Sequence, residues 1–243
     1  MLHKLVVAGE GETDMGVCAN QQWICTGQDF APGAVALLLF KLIRQHLPDW
    51  NSDNLTAEPA AHLTFIYRAW LKEQSKANKR QVFVGKQVVK GFEVYFRHAV
   101  ALAEYAKQHD QQMAAYFHDT DKHDWQTLRD AIKAGFRAAE FEQQGLAVVP
   151  KPTSEAWFIC GVKANPYQHC AQLEAELSGN DRSPERAPKA RLGECWDNPD
   201  YNRQDLCDLV ETLDVTRIDM PSFNNLRDQV KIAIITLCGE CRD

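Results

Sequence analysis

Five consecutive apolar residues, Met113-Ala114-Ala115-Tyr116-Phe117, run directly into His118-Asp119-Thr120-Asp121-Lys122-His123-Asp124. An apolar run of this length reads as a strand buried on both faces, which requires a parallel sheet with helices above and below it. In open α/β sheets ligands bind at the carboxyl ends of strands, where this polar cluster falls. If the strand persists, Asp119 and Asp121 point the same way, and two like charges held away from water favour neutralisation by a cation such as Mg²⁺. An Asp-rich turn capping a helix that begins near Asp124 uses the same residue types, so a second acidic motif has to decide between the two readings.

The rest of the chain alternates in the way such a sheet demands. Residues 3–9 form an apolar run of strand length that ends at the acidic turn Glu10-Gly11-Glu12-Thr13-Asp14. Residues 15–30 read as irregular, 34–47 as a buried helix closed by Pro48, and 51–61 as a surface loop. A strand over 62–67 is followed by a basic helix or loop over 71–80, a short strand or hairpin over 81–89, and a helix over 92–108. After the strand 113–117, apolar spacing predicts a helix over 124–144 ended by Gly145. A strand over 146–149 and a short helix through 155–159, capped by Thr153 or Ser154, complete the alternation. The last third reads as helices over 167–177, 203–213 and 222–237, with a basic loop over 179–200. The pattern predicts an α/β fold: a doubly wound parallel sheet flanked by helices, with a basic insertion and a helical C-terminal region. The expected domains are a metal-binding core over 1–161, with its insertion about 50–92, and a helical extension over 162–243 packed on it.

A net charge of −6 argues against indiscriminate coating of nucleic acid, but the distribution is uneven. Between Arg68 and His98, eight basic residues face only Glu73 and Glu93. Lys72, Lys76, Lys79, Arg80, Lys86 and Lys90, interleaved with Trp70, Phe83 and Phe92, are candidates to track a phosphate backbone; a merely solvated face has the same composition. The eight cysteines are scattered through a chain too large to need a disulfide framework, so reduced thiols are expected. Cys238 and Cys241 make half of a zinc site, with no second C-x-x-C to complete it. No apolar run is long enough to cross a membrane, and the N-terminus carries no cleavage signature, which makes the cytoplasm the expected location. The chain has neither a P-loop nor a G-x-S-x-G elbow.

The first strand supplies the second acidic motif. Glu10 ends one strand and Asp119 and Asp121 end another, and in a parallel sheet these ends share an edge. Oxygen ligands alone favour Mg²⁺ or Mn²⁺ over zinc. Ala8-Gly9-Glu10-Gly11-Glu12-Thr13-Asp14 together with Tyr116-Phe117-His118-Asp119-Thr120-Asp121 resembles the Toprim domain, the metal-binding fold of topoisomerases, primases, overcoming-lysogenization-defect nucleases and small stand-alone bacterial proteins. Val149-Pro150-Lys151-Pro152-Thr153-Ser154-Glu155-Ala156-Trp157-Phe158 is similar to a segment of the stand-alone group, some of which work beside ATPases in phage defence. The resemblance implies Glu10 as the catalytic acidic residue, Asp14 in support, Asp119 and Asp121 as ligands and Glu155 at a second metal position. It implies a metal-dependent nuclease of nucleic acid, DNA before RNA, with an ATPase partner, and it allows a homo-oligomer. His118 and His123 are candidate proton carriers and Lys122 a candidate phosphate contact. An RNA-processing ribonuclease and a degenerate Toprim regulatory module are the alternatives, and a D-x-D phosphatase ranks last because its nucleophilic Asp belongs on the first strand.

Overall fold

Alternate residues of the first strand point into different cores. The computed structural model describes residues 4–20, 22–48, 58–77, 88–179 and 187–242. In β1 (Leu5–Gly9), Leu5 and Val7 join one hydrophobic cluster while Val6 and Ala8 join the other, as the two-residue period of a doubly covered strand requires. β1 lies at the centre of a five-stranded sheet. It pairs in parallel with β5 (Leu63–Tyr67) on one side and β6 (Met113–Phe117) on the other, and β7 (Gly145–Val148) continues the sheet beyond β6.

Helix α1 (Ala34–His46) leads from β1 to β5 and lies on the Leu5 face. The helices α2 (Arg68–Ala77), α3 (Glu93–Gln108) and α4 (Trp125–Ala138) follow β5 and β6, and α3 and α4 cover the Val6 face. The chain therefore leaves β1 toward one face and β6 toward the other. These neighbouring strands form the switch point of the sheet, where a crevice opens at their carboxyl ends.

The expected α/β architecture is present, with differences that have local causes. The sheet is mixed: in the stretch expected to be irregular, β3 (Ile24–Thr26) runs antiparallel on the edge of β5, while β2 (Gly16–Cys18) pairs with β4 (Phe30–Pro32) in a separate two-stranded sheet. Three-residue strands carry too short a pattern to be read from sequence. α4 stops at Ala138 instead of running to 144, because Glu140 takes a left-handed conformation (φ 54°) and the Phe141 amide turns back onto the Phe136 carbonyl at 2.9 Å. Gly145, expected to end that helix, opens β7.

The C-terminal third completes the Leu5-face core instead of forming a separate one. α5 (Glu155–Val162) buries Trp157, whose indole donates to the Ser222 hydroxyl at 2.8 Å and whose ring edge meets Phe223. Of the helix expected over 167–177 only α6 (Leu173–Glu176) forms after a short 3₁₀ turn, since Tyr167 and His169 both have positive φ. Within the expected basic loop, Pro188 starts a helix, α7 (Pro188–Trp196); residues 180–186 lie outside the described residues. α8 (Arg203–Thr212), capped by a reciprocal Asn202–Asp205 pair, and α9 (Pro221–Cys238) stand where helices were expected. The strand or hairpin expected over 81–89 and the loop expected over 51–61 fall largely on residues 81–87 and 51–57, outside the described residues.

The expectation of reduced thiols is corrected. Cys18 is bonded to Cys25 and Cys160 to Cys170, with Cα separations of 5.7 and 5.3 Å. Each pair is brought within bridging distance by a short return of the chain, which a scattered spacing conceals. Cys238 and Cys241 stay outside any disulfide, and the Cys241 thiol lies against the His46 carbonyl. Among the described residues, no helix is long and apolar enough to cross a membrane.

Candidate functional site

The acidic turn after β1 is folded onto the start of α1. The Ala34 amide donates to the Thr13 carbonyl at 3.0 Å, and the Val35 and Ala36 amides donate to the Asp14 carbonyl at 2.8 and 3.1 Å. Backbone oxygens thus satisfy the helix N-terminus, and the Asp14 carboxyl is left for other partners. Two glycines allow this approach. A Cβ on Gly33 would stand 2.5 Å from the Asp14 carbonyl carbon, and one on Gly11, where φ is +83°, would stand 2.6 Å from Asp14 Oδ2.

The loops after β6 and β7 are joined to each other in the same crevice. The Thr120 hydroxyl donates to the Pro150 carbonyl at 2.6 Å and the Asp121 amide to the Pro152 carbonyl at 3.0 Å. Ser154, at the head of α5, does not use its side chain as a helix cap. Its hydroxyl donates to Asp14 Oδ1 at 2.5 Å and its amide to Asp119 Oδ1 at 3.0 Å. Glu155, the next residue, is buried on the same side.

Asp14, Asp119 and Glu155 are therefore drawn from three strand ends into one electrostatic group. Burial first and then the Glu155 charge push the Asp14 pKa up to about 7, against the lowering hydrogen bond from Ser154. Burial, then Asp14, Glu155 and Asp121, hold the Asp119 carboxyl well above the ordinary carboxylate range. Buried like charges without a neutralising cation take up protons, and a hard divalent ion is the alternative that keeps them ionised. The all-oxygen chemistry suits Mg²⁺ or Mn²⁺, but among the described residues no group of three or more His, Cys, Asp or Glu side chains stands ready to hold a metal ion.

Glu10 belongs to an adjoining group. One carboxylate oxygen accepts from the Arg68 guanidinium and the other lies 3.1 Å from His118 Nδ1. That nitrogen also lies 2.7 Å from the Asp119 carbonyl; both neighbours accept, so Nδ1 carries the proton. Burial pushes the His118 pKa down to about 4, which leaves the ring neutral at pH 7 and its contact with Glu10 a hydrogen bond. The Glu10 pKa is raised by burial and partly restored by Arg68 and His123. The ring of Tyr95 packs edge-on against His118, and its hydroxyl lies 3.1 Å from His123 Nε2.

Asp119 and Asp121 do not share a face as an extended strand would place them. β6 ends at Phe117 and Asp121 is left-handed, with φ 50°. The Asp121 charge acts on Tyr95 and His118 as well as on Asp119, which puts it toward the Glu10 group, while Asp119 is tied to Ser154. Asp124 is the helix cap, accepting from the Thr127 amide at 2.8 Å, and Lys122 is exposed in the turn before it.

No protein-family model, curated protein or solved structure matches the chain.

The basic segment is only partly in view. Lys79, Arg80, Lys86 and Phe83 lie outside the described residues. Lys76 pairs with Glu73 at 2.7 Å, Lys72 is exposed on α2, and Lys90 is exposed just before α3. Trp70 stands edge-on to Tyr105, and Phe92 packs on Tyr95 and His123, so both rings are engaged within the Val6-face core. Sequence reasoning missed Ser154, Arg68 and Tyr95 as members of the site. It also missed that residues of α7 and α8 line a cleft of about 260 Å³ together with Asp14 and Glu155. In sequence Thr153 and Ser154 are equal candidates for a helix cap, and nothing in their neighbours signals the distant carboxylates that Ser154 joins.

Proposed function

We propose that the chain is a divalent-metal-dependent nuclease with a Toprim-like fold, hydrolysing phosphodiester bonds with Mg²⁺ or Mn²⁺ held by Asp14, Asp119 and Glu155. The observation that carries this is the tie of Asp14 and Asp119 to Ser154 beside the buried Glu155, with Asp14 raised to about 7 and Asp119 raised well above its ordinary range. When bound, a divalent cation supplies charge stabilisation to the phosphoryl oxygens of the transition state. Ser154 orients Asp14 and Asp119, as outer partners orient metal ligands. Glu10, with its pKa raised by burial, accepts the proton of the attacking water. His118 fixes the Glu10 carboxylate through Nδ1–H, and Arg68 exchanges Glu10 for a substrate phosphate oxygen. Asp121 adds negative charge beside His118 and Tyr95.

DNA is the favoured substrate and an ATPase the favoured partner within a phage-defence pair; both rest on the motif resemblance. A second reading, a catalytically silent Toprim module, is favoured by one observation: both oxygens of Glu10 are already engaged, by Arg68 and His118.

The test is cleavage of matched DNA and RNA by purified protein with Mg²⁺, with Mn²⁺ and with chelator. Divalent-dependent cleavage that disappears in Asp119→Asn and in Glu155→Gln supports the proposal. Cleavage retained by both variants contradicts it, and no cleavage of either nucleic acid favours the silent module.

A further inference from the structure

The cleft between the acidic turn and the C-terminal helices is lined by the carboxylates of Asp14 and Glu155 together with Ala190, Pro199, Tyr201 and Leu206. Lys189 stands exposed beside it, close enough for its charge to offset that of Asp14. The Tyr201 hydroxyl is buried and has no hydrogen-bond partner among the described residues. A buried phenol of this kind ordinarily finds an acceptor, and the two nearby carboxylates do not supply one. Arg203, also at the cleft, is committed elsewhere: its guanidinium donates to the Ala31 and Pro32 carbonyls at 3.1 and 2.9 Å.

We propose that this cleft is a pocket for one nucleotide, in which the Tyr201 hydroxyl donates to a phosphate oxygen and Ala190, Pro199 and Leu206 receive the sugar and base. The proposal deepens the nuclease reading and rests on it for the class of substrate. Volume sets the limit: a cleft of about 260 Å³ falls just below the ~300–1,000 Å³ of pockets that enclose whole drug-sized ligands, so it takes one nucleotide of an unpaired strand. Charge sets the orientation. The phosphate belongs at the Tyr201 and Lys189 end, where a cation on Asp14 and Glu155 also reaches it, and the base belongs on the apolar residues.

The experiment is calorimetric titration of thymidine 5′-monophosphate into the full chain with Mg²⁺. It is run on the wild type, on Tyr201→Phe, which removes only the hydroxyl, and on Ala190→Trp, which fills the cleft from an exposed position. Thermal melts establish that each variant is folded. The expected result is saturable binding by the wild type, affinity about 10-fold lower in Tyr201→Phe as for a lost donor to a charged group, and none in Ala190→Trp. No binding by the wild type, or equal affinity in all three folded proteins, overturns the pocket. The two readings separate in a parallel cleavage assay. Binding that depends on Tyr201 without cleavage of any nucleic acid keeps the pocket and contradicts the nuclease; metal-dependent cleavage that neither variant alters contradicts the pocket and keeps the nuclease.

Discussion

The Ser154 hydroxyl donates to Asp14 Oδ1 at 2.5 Å across 140 residues of sequence. Since the Ser154 amide also donates to Asp119, one residue at the head of α5 ties together the loops after β1 and β6. Ser154→Ala removes the Asp14 link and keeps the Asp119 link. The divalent concentration giving half-maximal cleavage should rise by ~10- to 100-fold, the range for loss of a residue that orients a ligand. A metal-titrated cleavage assay reads this, and an unchanged midpoint would show that Ser154 does not orient the site.

Asp14 gives a pH signature. Its pKa is raised by burial and Glu155 to about 7, against an unfolded value near 3.8, so between these values the folded state holds a proton that the unfolded state has lost. Stability from this group is full below about pH 3.8 and is lost as pH rises to about 7. His118 and His98, lowered by burial to about 4 and about 3, act in the opposite sense at acid pH, so the comparison is with a variant that keeps both. In chelator, Asp14→Asn should gain melting temperature relative to the wild type as pH is raised from 4 to 7, with ~1 kcal/mol read as ~2–4 °C in a chain of this size. A constant difference across that range would place the titration elsewhere.

The open edge of the sheet has its own device. β7 is the last strand, and the buried Gln229 side chain of α9 accepts from the Ala147 amide at 2.9 Å and donates to the Ala147 carbonyl at 3.2 Å, as a neighbouring strand would. Gln229→Leu leaves both backbone groups without that partner. The expected cost is about 1–3 kcal/mol, with increased self-association through the exposed edge. Chemical denaturation and light scattering check the two effects.

The sheet's parallel strands were legible because they are largely apolar runs of four or five residues: β1, β5, β6 and β7 all fall close to where such runs stand. The faces of α3 and α4 were legible from helical spacing, and so was Asp124 as a cap. What stayed hidden depends on events that spacing does not record. The left-handed residues Glu140, Tyr167 and His169 end or interrupt helices whose apolar pattern runs on. The divergence of Asp119 from Asp121 follows from a strand that stops at Phe117, before either member of the pair. The meeting of Tyr201 and Asp14 in one cleft needs the C-terminal helices folded back over the crevice, which no local pattern specifies.

One buried ring contributes to that folding back. Trp157 is fully enclosed, bonded to Ser222 and packed on Phe223, and it lies two residues from Glu155. Trp157→Ala should cost ~3–5 kcal/mol and weaken the seat of Glu155 as well as the α5–α9 contact. Thermal unfolding should show one cooperative transition at a much lower midpoint. Two separated transitions would show that the C-terminal helices are an independent unit.

The central claim is that Asp14, Asp119 and Glu155 hold a divalent cation. Calorimetric titration of Mn²⁺ into the metal-free chain at pH 8, above the raised Asp14 pKa of about 7, tests it most directly. The expected result is saturable binding by the wild type, with affinity at least ~10-fold lower in Asp119→Asn and Glu155→Gln while both variants remain folded. Absence of binding by the wild type, or equal binding by all three proteins, would contradict it.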